Sequence, residues 1–339
     1  MSEKKPKKRV IIIGAGFSIS AGIPPQGHLL RDIFDIRIED LGYQHATIRN
    51  DRIKLQGFLN SLYGSNWRSE NILLEDIYTT VDTAISRQRN IGIFDPSALF
   101  KIRESLDRLI LYIVNKDISP GDIVQYGKKV GKLIDTPNTQ FISLNWDYLL
   151  ERVLIYLGYK INYGIPLERT YKQGRKPQLL VLKPHGSLNW RLCPICENIY
   201  VFMEQENIFK CTKCRGIYES RREIIEILQT LDINFNQGLL PLLVSPTFFK
   251  AHSVPQLNMI MQNMYSVLAK AEELVFIGYS LPISDHDIRD LLIKSYSIKR
   301  KSSVNVILKP SSEIEKAELT QHYNSIFDDS VLNFKWDGF

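Results

Sequence analysis

The sequence predicts an α/β fold, a Rossmann-like parallel sheet with helices on both faces, together with a large helical insertion and a small cysteine-rich ribbon. Short apolar runs rich in branched residues alternate with amphipathic stretches, and runs that are apolar throughout favour strands buried on both faces. Five such runs and a weaker sixth are predicted as strands: 9–13, 140–144, 179–182, 274–277 and 304–308, then 240–244. The predicted helices between them include 146–157 and 254–271.

A long helical region separates the first two predicted strands. Leucine, isoleucine and aromatic residues recur there at three- and four-residue intervals, most clearly in 71–87, 97–114 and 122–134. We expect an insertion at this position to cap the carboxyl ends of the strands, where ligands bind in this architecture. The expected domains are a discontinuous Rossmann-like domain (9–27, 138–189 and 221–339), the helical insertion (28–137) and the ribbon (190–220).

Composition limits the classes of protein to which the chain can belong. Its 339 residues are 44% hydrophobic and 24% charged, which suffices for a substantial core. The net charge of +6 is modest, and the sequence has no dense stripe of basic residues. We therefore do not expect direct nucleic-acid binding. No apolar run reaches the roughly 18 residues of a membrane span. The basic N-terminal segment runs straight into the first strand without a signal-peptide pattern, so we expect a cytoplasmic protein that does not bind membranes.

Polar residues follow three of the predicted strands. The first strand runs into a turn, Gly14-Ala15-Gly16-Phe17-Ser18, whose backbone amides can approach a diphosphate, although an ordinary tight turn needs the same glycines. Asn145 and Asp147 follow the second strand, where either residue can also cap the next helix. His185 follows the third as a candidate general base or a buried core histidine. The glycine turn and His185 together favour chemistry on a bound nucleotide.

All four cysteines lie in one short window. They form two pairs with two residues inside each pair and fourteen residues between the pairs: Cys193, Cys196, Cys211 and Cys214. This spacing is typical of a tetrahedral structural zinc site. Two disulfides or four unrelated thiols are the alternatives, disfavoured by a reducing compartment and by the clustering. Four thiolates leave no open coordination position, so the predicted zinc ribbon braces the fold and takes no part in a reaction.

The order of these motifs resembles that of the sirtuin (Sir2) superfamily. Residues 14–24 resemble its opening motif, 144–147 its second, His185-Gly186 its catalytic histidine motif, and 278–282 a later glycine–serine turn. The resemblance implies that NAD⁺ is the substrate and that Asn145 and His185 are catalytic. The cofactor-binding residues that it implies are Gly14, Ala15, Gly16, Ser18, Asp147, Gly278 and Ser280.

Two segments depart from the deacylating sirtuins. Pro25-Gln26-Gly27 stands where those enzymes have Asp-Phe-Arg, and 246–250 differs from the expected Phe-Gly-Glu loop. The chain looks more like the Sir2-like NAD-hydrolysing effectors of prokaryotic anti-phage defence. That resemblance implies an NAD⁺ glycohydrolase releasing nicotinamide and ADP-ribose, a homo-oligomer, and a separate ATPase or sensor such as a HerA-like ATPase or an Argonaute-like protein. A lysine deacylase and a non-catalytic NAD- or ADP-ribose-binding subunit are the alternatives.

Overall fold

The structure is a computed structural model that describes residues 7–36, 46–69, 72–115, 117–169, 174–193, 195–203, 208–219, 240–243 and 255–339. The chain divides into two compact units. The first comprises Met1–Ile23, Asp117–Asn189 and His252–Phe339, and the second comprises Pro24–Lys116 and Trp190–Ala251. The predicted loop 246–250 lies outside the described residues.

The described strands are numbered in chain order: β1 (Arg9–Ile13), β2 (Thr139–Ser143), β3 (Lys160–Asn162), β4 (Glu168–Arg169), β5 (Gln178–Leu182), β6 (Gly186–Leu192), β7 (Ile199–Val201), β8 (Ile208–Lys210), β9 (Ile217–Glu219), β10 (Leu240–Leu243), β11 (Glu273–Ile277), β12 (Ser303–Ile307) and β13 (Leu332–Lys335). The described α-helices are α1 (Gln26–Asp35), α2 (Ala46–Tyr63), α3 (Leu74–Ser86), α4 (Pro96–Val114), α5 (Pro120–Val130), α6 (Leu149–Tyr156), α7 (Pro255–Lys270), α8 (His286–Ile298) and α9 (Glu313–Asn324).

The first unit contains a seven-stranded sheet in the order β13-β12-β11-β1-β2-β5-β3. Neighbouring strands pair in parallel throughout. The central strand β1 is apolar after its first residue, Arg9, and its residues Val10 to Ile13 are all buried. The predicted α/β class and parallel sheet are therefore confirmed, with helices packed around the sheet, α5 against α6 and α7 against α8.

Each of the five main predicted runs forms a strand of this sheet, displaced by one residue at most. The weaker candidate, 240–244, corresponds to β10, and its last residue lies outside the described residues. The edge strands β3 and β13 were not predicted. β3 has only three residues, and β13 alternates between half-buried and exposed positions, so neither has the continuous apolar run of a central strand.

Four helices of the second unit pack on one another. Helix α4 contacts α1, α2 and α3, and Asp95 caps its start by accepting a hydrogen bond from the Ala98 amide. Inside this bundle the carboxylate of Asp51 accepts two hydrogen bonds from the Arg108 guanidinium, at 2.6 and 2.8 Å. Because both groups are buried, the pairing offsets the cost of removing the two charges from water. None of the described helices has the apolar length that crossing a bilayer requires.

Candidate functional site

Four sequence motifs follow four neighbouring strands of the parallel sheet. The turn 14–18 follows β1, 145–147 follows β2, His185 follows β5, and 278–280 follows β11. These strands lie side by side in the order β11-β1-β2-β5. Because the carboxyl ends of parallel strands meet at one edge, residues more than a hundred positions apart are brought together within the first unit.

The two glycine turns pack directly on each other. The Gly14 amide donates to the Ile277 carbonyl at 3.0 Å, and the Gly16 amide donates to the Gly278 carbonyl at 2.8 Å. Gly278 has a φ of +63°, and a Cβ there would lie 2.1 Å from the Phe17 nitrogen. A Cβ on Gly14 or Gly16 would also meet the backbone of the facing turn, at 2.6 or 2.7 Å. Close backbone packing therefore requires these glycines even before a ligand is considered.

Most amides of the turn 14–18 are already hydrogen-bonded. Besides those of Gly14 and Gly16, the Phe17 amide donates to the Gly14 carbonyl and the Ser18 amide to the Ala15 carbonyl, each at 3.0 Å. The amide of Ala15 opens a short 3₁₀ turn and makes no backbone hydrogen bond to any described residue.

Asn145 and Asp147 have different local roles. The Asn145 Nδ2 donates to the Ser18 Oγ at 3.1 Å, and both side chains are buried, so this bond joins the ends of β2 and β1. Helix α6 begins at Leu149, and the Asp147 Oδ1 accepts a hydrogen bond from the Leu149 amide at 3.0 Å. The Asp147 carboxylate thus accepts an amide at the start of α6 from the position before the N-cap Tyr148, whereas the Asn145 side chain faces the glycine turn.

A buried lysine, which the sequence analysis missed, holds the same loop. The Lys183 Nζ lies 2.9 Å from the Glu151 Oε1 and donates to the Asp147 carbonyl at 2.6 Å. Neither charged side chain is exposed to solvent. Burial raises the pKa of Glu151, and the nearby Lys183 charge opposes this effect. The signal in the sequence was a lysine directly after the apolar run 179–182 and two residues before His185.

The ring of His185 is oriented by a backbone carbonyl. Its Nδ1 lies 3.1 Å from the Leu144 carbonyl oxygen, at the end of β2. Since a carbonyl can only accept, this contact assigns the proton of the neutral ring to Nδ1, and Nε2 becomes the nitrogen that can take up a proton. The side chain is 15% exposed, so it is partly accessible rather than sealed in the core. This geometry suits a general base at the sheet edge.

The remaining predicted residue, Ser280, is exposed at the end of the β11 turn. Its carbonyl accepts a hydrogen bond from the His322 Nδ1 at 3.0 Å. The nearby Tyr279 carbonyl accepts one from the Tyr323 hydroxyl at 2.6 Å. Helix α9 thereby fixes the backbone of the turn that contains Ser280.

The four cysteines of the second unit form one cluster. Their sulfur atoms all lie within 4.8 Å of one another, and none is in a disulfide. The distances between two pairs of sulfurs, Cys193–Cys214 and Cys196–Cys211, are 3.7 and 3.5 Å. A tetrahedral zinc with Zn–S bonds of about 2.3 Å would separate its sulfurs by about 3.8 Å. The cluster therefore fits a structural zinc ion.

The two cysteine turns have the same backbone construction. In the first, the Cys193 amide donates to the Asn198 carbonyl and the Glu197 amide donates back to the Cys193 carbonyl. In the second, the Cys211 amide donates to the Gly216 carbonyl and the Arg215 amide donates to the Cys211 carbonyl, with the same residue spacing. Glu197 and Arg215, at equivalent positions, both have a left-handed φ, of 56° and 62°. Two equivalent turns facing one point explain how two thiols from each converge.

The thiol of Cys211 receives hydrogen bonds within this cluster. Burial by itself raises the pKa of a thiol, but at Cys211 hydrogen bonds from the Cys214 amide and the Tyr200 hydroxyl lower the pKa below its usual value. These contacts measure 3.4 and 3.1 Å. They favour the thiolate, the form that binds a metal ion.

No family model and no curated protein matches this chain. Among solved structures, it is similar to Sir2 enzymes studied for mechanism and regulation, at 14% identity over 96% of this chain and 86% of that chain, with a TM-score of 0.37. It is also similar to a Sir2 homologue mutant in complex with ADP-ribose (14% identity, 94% and 93% coverage, TM-score 0.41). A third similar structure is a Sir2 mutant with a peptide and NAD (13% identity, 97% and 86% coverage, TM-score 0.36). The structures named here are thus Sir2 proteins, the group whose motif order this sequence resembles.

Proposed function

We propose that the chain binds NAD⁺ at the carboxyl edge of its parallel sheet and hydrolyses the N-glycosidic bond, releasing nicotinamide and ADP-ribose. The observation that carries this proposal is the convergence of Ser18, Asn145 and His185 at the ends of three adjacent strands. The hydrogen bond from Asn145 to Ser18 joins a glycine turn suited to phosphate with a carboxamide suited to a ribose. His185 contributes a nitrogen that can accept a proton at the same edge.

The reaction needs orientation and a base more than it needs an acid. When the bond between C1′ of the ribose and the pyridinium nitrogen breaks, its electron pair neutralises the pyridinium, so nicotinamide leaves without protonation. Water forms the new C1′–O bond and gives up a proton, which His185 accepts at Nε2. Asn145 orients the ribose or the attacking water, because a buried carboxamide offers both a donor and an acceptor. Gly14, Ala15, Gly16, Gly278 and Ser280 line the proposed dinucleotide site, and Asp147 holds the nicotinamide end.

Lysine deacylation is the second candidate, and it uses the same NAD⁺ site. The segment Pro25-Gln26-Gly27 argues against it, because the Asp-Phe-Arg of deacylating sirtuins is replaced there. In this chain Gln26 begins helix α1, and its side chain donates to Glu75 at 2.6 Å within the second unit. The residue is therefore engaged in packing between α1 and α3.

The proposal extends to the metal and to the biological setting. Cys193, Cys196, Cys211 and Cys214 would hold one zinc ion, which stabilises the two cysteine turns and supplies no chemistry to the reaction. The resemblance to defence effectors supports an NAD⁺-depleting role in anti-phage defence. It also supports a cytoplasmic homo-oligomer that works with an ATPase or sensor protein.

The test is a time course of NAD⁺ loss with the purified protein, with and without an acetyl-lysine peptide. We expect nicotinamide and ADP-ribose to appear without peptide, whereas a deacylase consumes NAD⁺ only when peptide is present. His185→Ala and Asn145→Ala should each lower kcat/KM by about 10²–10⁴-fold, the usual contribution of a positioned base or orienting group.

His28→Ala serves as the matched control, since His28 is an exposed histidine on α1, and it should retain the parental rate. Cleavage at the parental rate by the His185 or Asn145 variant would refute the assigned roles. NAD⁺ binding without any product, after prolonged incubation, would instead favour the non-catalytic binding subunit.

A further inference from the structure

A carboxylate from another element faces the catalytic side of His185. The Asp285 Oδ1 lies 3.7 Å from the His185 Nε2, and the Asp285 side chain is 10% exposed. Asp285 comes directly before helix α8, a hundred residues away in the sequence from the histidine. The distance is too long for a hydrogen bond and short enough for an ion pair once the ring is protonated.

The Asp285 carboxylate has an unusual orientation for a residue at the start of a helix, here α8. Aspartate is among the preferred N-cap residues, because its carboxylate can accept the free amides of the first turn. Asp285 occupies the N-cap, yet its side chain makes no capping hydrogen bond. Its carboxylate is directed toward His185 and Tyr279 instead, so its usual stabilising role at a helix start is given up.

A second contact fixes the carboxylate. The Tyr279 hydroxyl donates to the Asp285 Oδ2 at 2.8 Å, which leaves Oδ1 as the oxygen on the His185 side. Burial and the charge of Asp285 raise the pKa of Tyr279 well above its usual value, so the hydroxyl stays protonated and keeps donating. The loop itself is held by Arg289, whose amide donates to the Asp285 carbonyl and whose Nη1 donates to the Leu281 carbonyl.

Among the described residues, three segments contribute polar or charged groups around His185. From the end of β2 the Leu144 carbonyl accepts the Nδ1 proton. Directly after β5, the Lys183 ammonium is paired with Glu151 and the Asp147 carbonyl, so its charge is compensated. From the loop before α8 comes the carboxylate of Asp285. A protonated His185 would therefore lie between a carbonyl and a carboxylate.

We propose that Asp285 is the counter-ion of the protonated His185 and acts as a positioning residue for the general base. When His185 takes a proton at Nε2, the new N–H lies on the Asp285 side and the two groups form an ion pair. The Leu144 carbonyl already holds the proton of the neutral His185 ring on Nδ1. Asp285 therefore acts by its negative charge, which stabilises the protonated ring. This catalytic role depends on the proposed function, whereas the pairing itself can be tested without it.

The experiment compares the parental protein with Asp285→Asn by two measurements. The first is an NMR titration of the His185 ring, identified by the signal that disappears in His185→Gln. The second is the pH profile of kcat/KM for NAD⁺ cleavage. A nearby carboxylate favours imidazolium, so its removal should shift both the ring titration and the acid limb of the profile to lower pH, by about one pH unit or more. The plateau rate should fall by about 10–100-fold because the weaker base accepts a proton less readily.

Asp287→Asn is the matched control. Asp287 is an exposed acidic residue in the first turn of the same helix, so the charge change is identical, and neither curve should move. Asp285→Glu, which keeps the charge, should retain most of the parental profile. If Asp285→Asn does not fold, Asp285→Ser replaces it, because serine can cap α8 while the carboxylate is lost.

The outcomes separate this inference from the proposed function. An unchanged His185 titration in the folded Asp285→Asn or Asp285→Ser variant would overturn the pairing, whether or not the protein cleaves NAD⁺. Failure of the parental protein to cleave NAD⁺ would refute the proposed function, while a shifted titration would still support the ion pair. Equal shifts in Asp285→Asn and Asp287→Asn would mean that the effect is general electrostatics, which would also overturn the proposal.

Discussion

The sheet-edge site and the four-cysteine cluster are assembled in opposite ways. The cysteines lie within twenty-two residues, from 193 to 214, and two equivalent local turns bring their sulfurs within 4.8 Å. Ser18, Asn145 and His185 follow three different strands, and Ser18 is more than a hundred residues from the other two. They meet only because β1, β2 and β5 are neighbours in the sheet. The cysteine cluster is built by local turn geometry, and the sheet-edge site by the topology of the sheet.

This difference decides what holds each site in shape. The cysteine turns are stabilised by a few backbone hydrogen bonds, so the ion would supply most of the remaining stability. The sheet edge is stabilised by buried contacts among the protein's own groups, such as the pair of Lys183 and Glu151 and the packed glycines 16 and 278. Removing the metal should therefore affect the cysteine turns most, whereas a single backbone clash should disrupt the sheet edge.

The largest expected effect is loss of zinc from Cys211→Ser. Structural zinc contributes on the order of 10 kcal/mol in small zinc-binding modules, so removing one thiolate should abolish stable binding. Elemental analysis should give one zinc per parental chain and almost none for the variant. Lys213→Ala, an exposed change in the same turn, should keep the metal. A parental protein without zinc, or a variant with a full complement, would contradict the assignment.

A smaller but still severe effect is expected from Gly278→Ala. The new Cβ would lie 2.1 Å from the Phe17 nitrogen, and the residue has a φ of +63°, which disfavours a side chain. We expect the free energy of unfolding to fall by about 3 kcal/mol or more, measured by chemical denaturation. Gly57→Ala is the control, because beyond its own stretch of helix the added methyl meets no described atom within 4 Å, and helix α2 should gain about 0.5–1 kcal/mol. A Gly278 variant as stable as the parental protein would mean that the two turns do not pack as described.

The sequence predicts these two regions to different depths. The cysteine spacing alone predicted that the four cysteines form one cluster, because a local site leaves its pattern in nearby residues. Apolar runs predicted the central strands, and the motif order that resembles sirtuins predicted Asn145 and His185 as site residues. Which strands are neighbours, however, depends on long-range pairing. The roles of Lys183 and Asp285 could not be read from the sequence for the same reason. A single lysine after a strand, or an aspartate before a helix, usually has a local explanation, and only the fold reveals their partners.

The glycine turn shows a different limit of sequence analysis. The pattern at Gly14 and Gly16 has a phosphate-binding interpretation and a purely structural one, and the packing against Gly278 accounts for both glycines without a ligand. The Ala15 amide makes no backbone hydrogen bond to the described residues, and the phosphate-binding interpretation stays a prediction. No residue pattern could distinguish that amide from its neighbours, because the distinction depends on which carbonyls the folded turn supplies.

The most direct test of the central claim is amide hydrogen–deuterium exchange with saturating NAD⁺, using the His185→Ala variant because its cleavage of NAD⁺ should be much slower. The account predicts protection in the peptides that cover 14–18, 144–147 and 278–280, because the dinucleotide would lie along the ends of the adjacent strands β11, β1 and β2. No change in these three segments at saturating NAD⁺ would contradict the claim that they form one dinucleotide site.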